Sequence, residues 1–281
     1  MQSLCKGGWN TDDPGPIVGD TPSMMLRVDL HVHTRVSPDG ITRPERVVAR
    51  AKRMGLDAIA ITDHDRCAAY AHLVAMGLAD PSGRSVDGLL VIPGVEVSCQ
   101  QGHLLVLGAS YDSARKPTAR DAVARAHDLG ALAVAAHPMD LSRSGMGAAV
   151  MDGLPLDAVE GWNSKTLSRG ANLRAIAYAD QRGLPIVAGS DAHFAGTLGR
   201  AHTLVDASEL TTASVLGAIA AGRTQIVPGQ HRPSELARYW AQGWLTRPWL
   251  LDVTARGIAA RLTPRPRPMR PATAPFANAT A

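Results

Sequence analysis

The chain has 281 residues, 45% hydrophobic and 19% charged, which is enough apolar material for one sizeable core and too little charge for a disordered protein. A formal charge of +4 would point to nucleic acid, a membrane surface or an acidic substrate if the folded body carried it. Eight Arg against two acids from Arg232 onward instead give +6 there and leave −2 for residues 1–231.

Residues 1–24, rich in Gly, Pro, Asp and Thr without a period, read as a flexible leader with no apolar core of a signal peptide. A body over 25–231 follows, in which short apolar runs alternate with helical patterns. Strands are predicted at 26–32, 58–61, 89–97, 103–109, 131–136, 158–162 and 186–189. Helices are predicted at 44–54, 68–77, 119–129, 167–182 and 213–221. The alternation indicates an α/β fold with a largely parallel sheet whose strands are buried on both faces. Thr42-x-x-Glu45 and Thr118-x-x-Asp121 read as helix N-caps, with Gly55 and Gly130 just past the corresponding ends. In a Trp/Arg-containing helical appendage over 232–262, Trp240, Trp244 and Trp249 stand at near-helical spacing, and Pro248 should stop or kink the helix. That segment, at 240–249, is a candidate oligomer or surface contact. Residues 263–281, rich in Pro, Arg and Ala, are expected to be disordered. Cys5, Cys67 and Cys99 are far apart and form no CxxC pair, so a disulfide framework and a zinc ribbon are both disfavoured. With no apolar run long enough to span a bilayer, the expected location is cytoplasmic.

Most of the chemistry-bearing residues fall at strand ends. In Asp29-Leu30-His31-Val32-His33 the period of two puts both imidazoles on one side of a strand, so both can reach one ion. A lone HxH is a weak pattern, but it does not stand alone. The apolar run 59–61 enters Thr62-Asp63-His64-Asp65, and Glu96 is a carboxylate inside an otherwise apolar strand, where it needs a partner. His103 opens one strand, His137 closes another, and Asp191 and His193 follow a further one. Imidazole and carboxylate without thiolate suit Zn, Mn or Fe, and the set is too large for one four-coordinate ion, so two or three divalent metals are implied.

The order HxH, SPDG, ITDHD, GVEVS, GHLLVLG, AHP, GSDAH over about 25–229 resembles the polymerase-and-histidinol-phosphatase (PHP) family of metal-dependent phosphoesterases. The resemblance implies a distorted seven-stranded (β/α) barrel with three metals at its C-terminal face. By motif, it implies His31, His33, Glu96 and Asp191 around one ion, Glu96, His103 and His137 around a second, and Asp39, His64 and His193 around a third. The gap of five residues, 98–102, before His103 is short compared with many relatives. Asp63 and Asp65 are candidates for orienting imidazoles from behind, with loop capping as the alternative.

No GxSxG elbow or P-loop competes, so a metal-activated water is the expected nucleophile. Arg35, Arg143, Lys165, Arg200 and His202 are candidates for contacting substrate, while His72, His127 and His231 read as ordinary structural or surface histidines. The expected activity is hydrolysis of a phosphate ester of a small molecule or nucleotide. The alternatives are an exonuclease or oligonucleotide-trimming enzyme and a metal-stabilised binding module without turnover. The Arg/Pro tail predicts no specific nucleic-acid site.

Overall fold

In the computed structural model, described over residues 23–113 and 116–246, nine strands form one sheet. They are β1 (Met24–Val32), β2 (Ala58–Ile61), β3 (Leu90–Ser98), β4 (His103–Leu107), β5 (Leu132–Ala135), β6 (Ala158–Asn163), β7 (Ile186–Gly189), β8 (His202–Ala207) and β9 (Thr224–Val227). The helices are α1 (Pro44–Met54), α2 (Ala68–Ala75), α3 (Ala119–Asp128), α4 (Ala148–Met151), α5 (Arg169–Arg182), α6 (Thr212–Ala220) and α7 (Pro233–Thr246). Residues 1–22 and the predicted elements beyond 246, including Trp249 and the tail, lie outside the described residues.

The sheet runs in the order β7-β6-β5-β4-β3-β2-β1-β8-β9 and curls into a nearly closed barrel. Its seams are made by side chains. Thr203 Oγ1 both accepts from Ala188 N (2.8 Å) and donates to Ala188 O (2.9 Å), and Thr224 Oγ1 donates to Ile186 O at 2.8 Å. At the closure β7 comes so near β1 that a Cβ on Gly189 would lie 2.5 Å from the Cβ of His31, which is why glycine stands there.

The seven expected strands are present, and the pattern reading missed two more, β8 and β9, which pair antiparallel onto β1 and each other. β4 is antiparallel to both β3 and β5, while β1–β2, β2–β3, β5–β6 and β6–β7 are parallel. That reversal brings the N-terminal end of β4 to the rim where its neighbours have their C-terminal ends.

Period-two burial sorts the strand residues. Ala58, Ala60, Leu90, Ile92, Leu105 and Leu107 pack into a central cluster closed by Val215, Leu216 and Ile219 of α6. Ile59 and Ile61 pack on the opposite side with Val47 and Val48 of α1 and Leu73 of α2. Continuing along the central face, Glu96 lies two positions beyond Gly94 on β3 and His103 two positions before Leu105 on β4. The apolar interior therefore gives way directly to a polar rim.

Candidate metal centre

Each strand end supplies its donor through ordinary local rules. On β1 the register shifts between Asp29 and Val32, and there His31 and His33 turn onto the rim, both buried. Asp29, below them, is held by Ser190 N (2.9 Å) and Gly199 N (2.8 Å), tying β1 to the segment that carries Asp191 and His193. Asp65, His137 and Asp191 adopt positive φ (54°, 31° and 50°), a costly conformation for residues with side chains and one that clusters at functional sites.

Glu96 lies at the middle. Its Oε2 is 3.1 Å from His31 Nε2 and 3.1 Å from His33 Nε2, and these two nitrogens are themselves 3.1 Å apart. Its Oε1 is 2.8 Å from His103 Nδ1 and 3.2 Å from His137 Nε2. His64 Nδ1 lies 3.3 Å from Oε2. Asp191 Oδ1 is 3.5 Å from His33 Nε2 and 3.2 Å from His193 Nδ1, and His193 Nε2 is 2.7 Å from Asp39 Oδ2. All nine residues expected to bind metal thus converge on one rim, and the short turn before His103 aims it inward.

The donor set fits divalent cations. Three groups offer ligand atoms within 4.8 Å of one another: His33, Asp39, His64 and His193; His31, His33 and Asp191; and His64, Glu96 and His103. Donors around a tetrahedral ion with bonds of about 2.0–2.1 Å stand about 3.3 Å apart, close to the His31, His33 and Glu96 spacing. Asp39 Oδ1, His64 Nδ1 and His137 Nδ1 are buried with no hydrogen-bond partner, an arrangement that is costly unless something cationic or polar completes it.

Burial works against charge, yet at Glu96 and Asp191 the neighbouring cationic groups favour the ionised carboxylate. Burial pushes the Glu96 carboxyl up, but His64, His31 and His103 outweigh it and hold Glu96 well below the usual carboxylate range. At Asp191, burial is likewise overcome by Lys165, Arg143 and His31. Burial and the neighbouring His193 push His33 well below its ordinary value, leaving a neutral ring with a lone pair to donate.

The imidazoles are oriented by groups the sequence reading did not single out. Glu160 Oε1 accepts from His31 Nδ1 at 3.0 Å, and Ser37 Oγ lies 3.0 Å from His33 Nδ1. Asp63 and Asp65 do not take that role. Asp63 accepts from Thr34 N (2.6 Å), Thr34 Oγ1 (2.7 Å) and Ser37 N (3.2 Å), and Asp65 accepts from Ser98 N (2.8 Å). Both brace loops, because donors just after β1 and at the end of β3 reach these carboxylates first.

Of the substrate candidates, Arg143 and Lys165 stand at the centre. Arg143 Nη2 donates to Asp191 Oδ2 at 2.5 Å, and Lys165 Nζ lies 3.8 Å from Asp191 Oδ1 and 4.0 Å from Asp39 Oδ2. Arg35 is exposed on the neighbouring loop. Arg200 is engaged elsewhere, in an ion pair with Glu235 of α7, and His202 is buried on β8 with Nδ1 3.3 Å from Gly199 O. His72 and His127 pair with Glu45 and Asp157 away from the rim. His231, read as an ordinary junction residue, instead hydrogen-bonds Ser190 O at 2.9 Å and lines a cavity of about 70 Å³ with Lys165, Asp191, His193, Tyr239 and Trp240.

A barrel rim that gathers imidazoles and carboxylates, with two half-buried cations beside them, defines a metal-dependent hydrolase. The sequence matches the family model described as the PHP domain over residues 29–143 and the one described as PHP-associated over residues 169–224. The chain belongs to the PHP family. The 5′-3′ exoribonuclease Rnm of Salmonella typhimurium is 36% identical over 40% of this chain, which spans 36% of that protein's length. Among solved structures, a two-domain protein from Bacteroides vulgatus containing a predicted PHP-like metal-dependent phosphoesterase superposes with a TM-score of 0.58 at 21% identity, covering 79% of this chain and 71% of that one. A lesion-specific endonuclease from Pyrococcus furiosus gives 0.54 at 20% identity, covering 72% and 58%.

Proposed function

We propose that the protein hydrolyses a phosphate ester of a small molecule or nucleotide at a centre of two or three divalent ions. His31, His33, Glu96 and Asp191 would hold one ion, Glu96, His103 and His137 a second, and Asp39, His64 and His193 a third. The observation that carries this reading is Glu96, a buried carboxylate with five of these imidazoles within 3.3 Å of its oxygens. When bound, such ions lower the pKa of water toward neutrality and neutralise charge that builds on the phosphate oxygens.

The chain's own residues supply the rest. Glu160 and Ser37 hold His31 and His33 by the ring nitrogens that face away from Glu96, so that the opposite nitrogens point inward. Arg143 and Lys165 bind and orient non-bridging phosphate oxygens from the open side, the guanidinium through a forked pair of N–H donors. Asn163 Nδ2 donates to both Glu160 Oε2 (3.0 Å) and Asp191 Oδ2 (3.1 Å), which keeps the two carboxylates in register.

The test is metal analysis of the purified protein, followed by phosphate release from a panel of mono- and diesters with Mn²⁺ or Zn²⁺ supplied. We expect activity that chelation removes, and that His31→Ala and Asp191→Ala each abolish while the fold is retained. Tight metal binding with no hydrolysis of any ester would instead favour a binding module.

A further inference from the structure

Beside the metal centre lies a second cavity, of about 970 Å³, with an unusual lining. Arg35, Arg43, Arg46 and Arg53 face it, and no acidic residue does. Three of the four are on or just before α1, and 43, 46 and 53 fall on one helical face with Ala49 between them, so their guanidinium groups can follow a trough about 15 Å long. Among the described residues the only ion pair of Arg43 is a loose 4.0 Å contact with Glu45, and Arg46 and Arg53 have none. The opposite wall is Ile41, Phe194, Ala195, Gln242 and Leu245.

The trough adjoins the segment that carries His193. Ile41 N donates to His193 O at 2.9 Å, Ala195 N donates to Thr42 Oγ1 at 3.0 Å, and Phe194 lines both this cavity and the one holding Lys165 and Asp191. Clustered guanidinium groups without carboxylates repel one another and are favoured by an anionic partner. A ligand with one phosphoester at the metal centre and further phosphates at regular spacing along the trough is a nucleic-acid strand. A row of cations facing an apolar wall with one aromatic ring suits an unpaired strand, whose bases need a surface to lie on.

We propose that this Arg trough binds the phosphodiester backbone of a single-stranded oligonucleotide whose terminus enters the metal centre. The proposal rests on the phosphoesterase reading and narrows its substrate toward the oligonucleotide alternative, adding a binding site where the sequence predicts no specific one.

The experiment separates the two. Binding of a fluorescein-labelled single-stranded octanucleotide to the full chain is followed by anisotropy in chelator, across a range of salt. Two or three phosphate contacts in the trough contribute a slope of about −1.4 to −2 to the plot of log affinity against log salt. Arg46→Glu/Arg53→Glu should weaken binding at least tenfold and flatten the slope, and Ala49→Glu, which places a carboxylate in the trough, should do the same. The Arg-bearing C-terminal segment is present in every protein compared, so it does not account for a difference. With metal supplied, hydrolysis of a small chromogenic phosphomonoester should stay within about twofold of the wild type in both variants. Binding unchanged in both variants overturns the trough, as does a loss matched by an equal loss of small-ester hydrolysis. Trough-dependent binding without hydrolysis of any ester keeps the trough and removes the phosphoesterase reading.

Discussion

Glu160 is fixed from three sides at once: His31 Nδ1, the His137 backbone N–H (2.7 Å) and Asn163 Nδ2 all donate to it. It therefore sets the ring plane of one donor and the strained backbone of another. Glu160→Gln keeps the volume and removes the charge, and is expected to lower metal affinity about 10- to 100-fold, read by competitive titration against a chromogenic chelator. Its signal was present in the sequence, since Glu160 interrupts the apolar strand AVEGWN as Glu96 interrupts VEV. What hid it was the absence of a neighbouring His to draw attention. Asp63 shows the converse: adjacency to His64 suggested a partnership that three closer donors pre-empt. At Cys99, burial together with Asp65 and Glu96 pushes the thiol up to about 12, so at pH 8 only about one molecule in ten thousand carries the thiolate. Mass spectrometry after brief alkylation of the folded protein should find Cys99 unmodified, and modified once denaturant is added.

At the level of elements, repeated apolar spacing was readable and borrowed hydrogen bonds were not. α1, β2 and β7 occupy the predicted bounds, and Thr118 caps α3 by accepting from Asp121 N at 3.1 Å. Thr42 was expected to cap α1, but Arg43 is the cap residue and makes no side-chain bond, because Thr42 Oγ1 is taken by Ala195 N from across the rim. No local pattern encodes a partner 153 residues away. β8 and β9 were missed for a similar reason, since each becomes a strand through pairing with distant β1 or with the other.

α7 is seated on the rim by a few polar contacts. Arg200 pairs with Glu235, Arg232 N donates to Glu235 Oε2 at 2.9 Å, and Tyr239 Oη donates to Asp39 O at 2.8 Å. Burial raises the Glu235 carboxyl, but Arg200 and the Arg232 N–H hold it below its ordinary value. A depressed carboxyl stabilises above its unfolded pKa of about 4.5, and that stabilisation is lost as pH falls through the lower folded value. Glu235→Gln at neutral pH should mimic the acid state, speeding hydrogen exchange of α7 amides severalfold while barrel amides are unchanged. The pair is partly exposed, so its worth is on the order of 1 kcal/mol or less.

Over the whole molecule, the donors come from six different strand ends, so an ion bound among them links the ring through contacts that the unfolded chain does not hold together. Supplying Mn²⁺ or Zn²⁺ should raise the melting temperature and chelation should lower it. Ligand at about a hundred times its Kd adds about 2.7 kcal/mol for one site, measurable by calorimetry. No helix among the described residues is long and apolar enough to cross a membrane.

The reversed strand β4 has a further consequence, in the order of assembly. Glu96 and His103 are 7 residues apart along the chain and joined by one hairpin, whereas His31 and Glu160 are 129 apart. Closing the longer loop costs about 2.6 kcal/mol more chain entropy. The hairpin can bring its carboxylate and imidazole together while the ring is still open, so the long-range strands close onto a pair of donors that has already met.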